Sequence, residues 1–168
     1  MKLFKKLAAA VLVAALALMM VGCSGSNIVL TRQIKNAVSD VAAYYWHERA
    51  TDSRDLDALA AKLLTEYDKA IAASEEGEWP DLQELLDDEK FLQKAGIDPE
   101  KNACWVTYTP VPSYLSDTLN TEKPFELAQK LLFGEEYVIG APEVGSKYEF
   151  GLAIGTLDGE DYVLMLVK

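Results

Sequence analysis

Tyr148-Glu149-Phe150-Gly151-Leu152-Ala153-Ile154-Gly155-Thr156-Leu157-Asp158-Gly159-Glu160-Asp161-Tyr162-Val163-Leu164-Met165-Leu166-Val167 is the stretch that decides the fold. Asp158-Gly159 separates two β-rich runs, and both turn positions of a two-residue hairpin must tolerate positive φ, which Asp and Gly do. With that loop, Leu157 faces Glu160 and every later pair is fixed. Gly155 meets Tyr162, Ala153 meets Leu164 and Gly151 meets Leu166, so small residues oppose large ones on one side. On the other side Ile154 meets Val163, Leu152 meets Met165 and Phe150 meets Val167. Both faces of the hairpin are apolar. Such a sheet has to be covered on both sides, which predicts an α+β domain in α/β/α layers. Helices pack on each face of a small, mainly antiparallel sheet closed by this C-terminal hairpin.

Upstream, Ile34, Val38, Val41 and Tyr45 recur at helical spacing and predict a helix over Arg32 to Arg49, with Thr31 as its cap. A second helix opens at Ser53 or Asp55 and carries Leu56, Leu59, Leu63, Tyr67 and Ala70 on one face. A third is expected from Asp81 to Ala95, after Pro80 and before the helix-ending Gly96. Cys104 to Thr109 reads as a strand stopped by Pro110. Thr121 to Phe133 reads as a helix with Pro124 in its first turn, and Tyr137 to Ile139 as a further short strand. The acidic runs Glu75-Glu76-Gly77-Glu78 and Asp87-Asp88-Glu89 are expected to be loop and solvated helix surface.

The first 25 residues have a different character. Lys2, Lys5 and Lys6 precede an unbroken apolar run, Leu7 to Val21, which is shorter than the ~20 residues of a spanning helix. Basic, apolar and small-residue segments in that order read as a secretory signal. Its end, Met20-Val21-Gly22-Cys23, resembles the lipobox of bacterial lipoproteins, with Met20 in place of the usual Leu. The resemblance implies cleavage before Cys23 and a diacylglyceryl group on its sulfur. Residues 1–22 are then signal peptide, 23–27 the acylated Cys and a short tether, and 28–168 one globular domain. The membrane is a partner through the acyl chains, at the cell membrane or an outer membrane on the extracytoplasmic side.

Removing residues 1–22 from 168 leaves 146, one domain's worth of chain. Three lysines leave with the leader, so 13 basic residues face 27 acidic ones, a formal charge of −14. That surface repels phosphate backbones and excludes nucleic acid as a partner. With Cys23 acylated, Cys104 has no intramolecular disulfide partner, and in Ala103-Cys104-Trp105-Val106 it reads as a small buried hydrophobe.

Catalytic signals are sparse. His47 is the only histidine, and His47-Glu48 lacks the second His of a zinc-protease helix because position 51 is Thr. It reads as a helix-end residue among Tyr44, Tyr45 and Trp46, with general base as its functional alternative. No metal-ligand spacing, phosphate loop or nucleophile elbow is present, so no metal or cofactor is expected. Asp158, Glu160 and Asp161 around Gly159 are explained by turn chemistry as well as by calcium. Trp46, Trp79 and Trp105, with eight tyrosines, supply material for a binding groove. Trp105 reads as core, and Trp79 is the candidate ligand contact. The order helix, helix, strand, helix, hairpin, with the Gly151–Gly155 strand and the Tyr162-led strand, also resembles secreted CAP (SCP-like) domains. Arg49 and Leu56 fall near that family's Arg and Leu. Its two-His, two-acid cleft finds no counterpart here, so the resemblance carries no site residues across. The expected function is a non-catalytic, surface-anchored lipoprotein domain that binds a protein or small-molecule partner. The alternative is a degenerate CAP-like or carboxylate-using extracytoplasmic hydrolase with His47 as its base.

Overall fold

The computed structural model describes residues 25–74, 78–112, 122–142 and 147–168. Residues 1–22, read above as a signal peptide, together with Cys23, Glu75-Glu76-Gly77 and Thr121, lie outside them. The described elements are α1 (Gly25–Trp46), β1 (Thr51–Asp52), α2 (Arg54–Ala73), α3 (Leu82–Leu86), α4 (Glu89–Ala95), β2 (Cys104–Pro110), α5 (Glu122–Phe133), β3 (Tyr137–Ile139), β4 (Glu149–Leu157) and β5 (Glu160–Val167). Among the described residues the sheet has five strands in the order β1-β4-β5-β2-β3. β1 runs parallel to β4, and the other neighbours are antiparallel.

The closing hairpin has the expected register at every pair, from Leu157↔Glu160 to Phe150↔Val167. Asp158 and Gly159 turn it with φ of 50° and 83°. One apolar core lies on each face. Leu56, Ala60, Leu63, Leu64 and Tyr67 of α2 pack with Leu164, Leu166 and Cys104 on one side. Ile34, Val38 and Val41 of α1 and Leu127, Ala128 and Leu131 of α5 pack with Leu152, Val163 and Met165 on the other. The small-against-large pattern has a direct cause. A Cβ built on Gly151 would stand 2.3 Å from the Asp57 amide nitrogen, so the glycine is what lets the start of α2 lie against the sheet.

Four expectations need correction. α1 begins at Gly25, taking in most of the tether stretch, and ends at Trp46. Thr31 is therefore inside the helix: burial of Leu30 one turn before Ile34 outweighs the local capping signal. His47, with φ of 59°, takes the left-handed position that ends many helices, a conformation His adopts more readily than most residues. The expected third helix is two. Asp88 caps α4 by accepting from the Lys90 amide at 2.9 Å, because a short carboxylate competes with the helical ladder. Ser53 is the N-cap of α2 as expected, though its side chain makes no capping bond. β1 was not expected at all.

β1 ends after two residues, and Asp57 of α2 then continues the edge. Its carboxylate accepts from the Leu152 amide at 2.9 Å and from the Lys35 ammonium of α1 at 2.5 Å. Lys35 also reaches Asp52 at 2.6 Å. Burial would lower the Lys35 pKa, but hydrogen bonds and charge from the two aspartates outweigh it and hold the pKa above its ordinary value. On the opposite edge, the Gln83 side-chain amide takes both backbone groups of Val138, accepting from its N–H at 2.9 Å and donating to its C=O at 3.0 Å. Both sheet edges are thus partly closed by side chains, which blunts pairing with another chain.

Candidate functional site

Alternation along β2 sends Cys104, Val106 and Tyr108 to the α2 side of the sheet and Trp105, Thr107 and Thr109 to the α1/α5 side. Cross-strand pairing then sets Met165 beside Thr107 and Val167 beside Trp105. α1 stops at Trp46 and α5 at Phe133, leaving this end of the sheet under side chains rather than helix backbone. There Trp46, Trp105, Thr107, Leu131, Leu132, Glu136, Tyr148, Met165 and Val167 enclose a half-open cavity of about 200 Å³.

The cavity's walls are largely aromatic and aliphatic. The Trp46 and Tyr148 rings pack at 4.6 Å between centroids, inclined by 40°. Trp46 also meets Phe133 edge-on at 6.5 Å, and Phe133 meets Tyr45 at 5.0 Å. Gln129 steadies the Tyr45 hydroxyl by donating to it at 3.1 Å. Tyr44, Tyr45 and Phe133 are exposed, so the aromatic surface continues outward from the cavity.

One polar atom beside the cavity stands out. Thr107 is 4% exposed, and its Oγ1 is fully buried with no hydrogen-bond partner among the described residues. Leaving a hydroxyl in that state costs about 1–3 kcal/mol, so such groups are rare. Glu136 is the sole charged residue of the lining. Walls of this kind can bind and orient a small molecule.

Of the residues singled out in the sequence, Trp46 and Trp105 line the cavity, and the others fall elsewhere. Trp105, expected in the core, is half-buried on the cavity wall. His47 is exposed just beyond Trp46 and is not part of the lining, nor is it packed among the aromatics as expected. Trp79 lies on the opposite face of the sheet, 36% exposed. Its ring meets Tyr67 at 6.1 Å and Tyr162 at 5.6 Å, and Tyr108 continues the cluster to Tyr137 at 5.8 Å. The Tyr67 hydroxyl donates to the Pro80 carbonyl at 3.2 Å, pinning the Trp79-Pro80 loop. Burial first, then hydrogen bonding with Tyr108, raises the pKa of both Tyr67 and Tyr137.

Cys104 is buried in the α2-side core, and burial pushes its thiol up to about 12, which keeps it protonated and unreactive at neutral pH. Asp158, Glu160 and Asp161 are exposed at the hairpin turn, where Asp68 accepts from the Asp158 amide at 3.3 Å. Among the described residues no three His, Cys, Asp or Glu side chains gather closely enough to hold a metal ion. No helix among them is long and apolar enough to cross a membrane. Sequence reasoning passed over Thr107, Glu136 and Tyr148. The available signal was Thr107 and Thr109 alternating through a strand between two apolar strand neighbours. The chain matches no protein-family model, no curated protein and no solved structure.

Proposed function

We propose that this chain is an extracytoplasmic lipoprotein, anchored through acyl chains on Cys23, whose folded domain binds a small, mostly apolar ligand without transforming it. The observation that carries the binding part is a cavity of about 200 Å³ walled by Trp46, Trp105 and Tyr148. A dry apolar cavity of ~150 Å³ already accepts a benzene-sized guest. This one has room for a somewhat larger molecule. The anchor rests on the Lys2–Cys23 pattern, in which basic, apolar and small residues precede a cysteine. Two or more acyl chains give stable attachment where a single chain binds only marginally, so a positively charged surface patch is not required.

The two halves of the reading are tested separately. Labelled palmitate should enter the wild-type chain in cells and fail to enter Cys23→Ser. Equal labelling of both chains, or an unmodified native amino terminus by mass spectrometry, removes the anchor. For the pocket, titrating the detergent-solubilised protein with benzyl alcohol should change tryptophan emission saturably, since Trp46 and Trp105 are both in the wall. Steady conversion of a peptide or glycan substrate by the same preparation would replace the binding reading with an enzymatic one.

A further inference from the structure

We infer that the cavity is built for a small organic cation, a methyl- or alkyl-substituted ammonium. This inference rests on the binding function just proposed and specifies the chemical class of its ligand.

The charge of the lining gives the sign. Of the nine lining residues, Glu136 alone is ionised, and no Lys, Arg or His is among them. A carboxylate or phosphate ligand would be repelled by Glu136, and the lining holds no cation to offset it. A cation meets the opposite situation. Trp46, Trp105 and Tyr148 present aromatic rings, whose negative faces attract ammonium groups, and Trp is the strongest of the aromatic partners. Aliphatic substituents on the nitrogen would lie against Leu131, Leu132, Met165 and Val167, which suits an alkylated ammonium better than a strongly hydrated bare one. The cavity of about 200 Å³ limits the guest to roughly six to ten heavy atoms by comparison with benzene-binding cavities.

The test uses an isosteric pair of probes on the detergent-solubilised full chain, read by tryptophan emission and ligand-observed NMR. Choline and 3,3-dimethylbutan-1-ol have the same shape and hydroxyl but differ in charge. Choline should bind about tenfold or more tightly than the alcohol, as expected for a partly desolvated cation–aromatic contact plus a carboxylate. Glu136→Gln should shrink that gap without lowering thermal stability, because Glu136 is exposed. Equal affinity for the two probes, or an unchanged gap in Glu136→Gln, overturns the cation assignment while leaving the pocket function intact. If choline, tetramethylammonium and the alcohol all fail to bind while benzyl alcohol does, the assignment falls alone. If benzyl alcohol fails too, the binding reading falls with it.

Discussion

Replacing Thr107 by Val tests whether its buried hydroxyl is as unpaired in solution as its surroundings imply. Val keeps the branched shape and suits a strand at least as well as Thr, so backbone and packing are preserved. What changes is the hydroxyl, whose Oγ1 is buried without a partner among the described residues. Removing it should raise unfolding free energy by about 1–2 kcal/mol, the lower part of the range for an unsatisfied buried polar group. In a chain of this size each kcal/mol moves Tm by roughly 2–4 °C, so calorimetry should show a rise of roughly 2–8 °C. Thr109→Val is the control. Thr109 lies on the same face of β2 but its hydroxyl is not among the orphaned atoms, so it should give no such gain. Loss of 1 kcal/mol or more in Thr107→Val would refute the reasoning, because the hydroxyl would then be making a bond of its own.

Gly151→Ala should destabilise by about 3 kcal/mol or more, since its Cβ would stand 2.3 Å from backbone atoms of Leu56 and Asp57. Gly155→Ala should cost about 1–2 kcal/mol, because it meets only the movable Leu64 Cδ2 at 2.6 Å, and urea midpoints that rank the two the other way would contradict the packing. Asp57→Ala should cost about 1.5–3 kcal/mol by releasing the Leu152 amide and one of two partners of Lys35, and should exceed Asp52→Ala, which frees no sheet amide. The Cys104 thiol rises from 9.0 to about 12 on folding, so its contribution is complete below pH 9 and is lost as pH climbs through the folded value. Between pH 9 and 11 the wild type should therefore lose stability more steeply than Cys104→Ala, and parallel slopes would show that the thiol is not desolvated. Choline association should slow as salt is raised, given a formal net charge of −11 for the full sequence. A salt-independent rate would show that the acidic field does not steer the ligand.

The hairpin was legible because turn chemistry and pairing arithmetic act within twenty adjacent residues. Asp158-Gly159 fixes the register, and the register fixes which residues share a face. From two apolar faces the layered arrangement followed without any knowledge of the rest. The boundaries of α1 and the break at Asp87-Asp88 were less legible, since each depends on a contest between a local cap and burial against a distant element. β1 was illegible for a sharper reason. Two exposed residues carry no periodicity, and their place is set by Lys35 and Asp57 from two different helices. Gln83 closing the β3 edge is of the same kind, with partners 55 residues apart.

The site was less legible than the fold because composition cannot separate it from core. Aromatic clusters lie on both faces of the sheet, and each has tryptophan and tyrosine in quantity. Around Trp79 the Tyr67 hydroxyl has the Pro80 carbonyl, the Tyr108 hydroxyl interacts with those of Tyr67 and Tyr137, and Leu82 and Leu86 pack beneath. That cluster closes on itself. Around Trp105 a cavity remains between rings and sheet, and a threonine that breaks the apolar pattern of its strand keeps an unanswered hydroxyl. A buried polar group without a partner contradicts the rule that the rest of this core obeys, and such contradictions are expected where a chain serves a function at some cost to stability. Thr107 therefore distinguishes the two clusters better than either tryptophan does, and the stability gain expected of Thr107→Val is its direct readout.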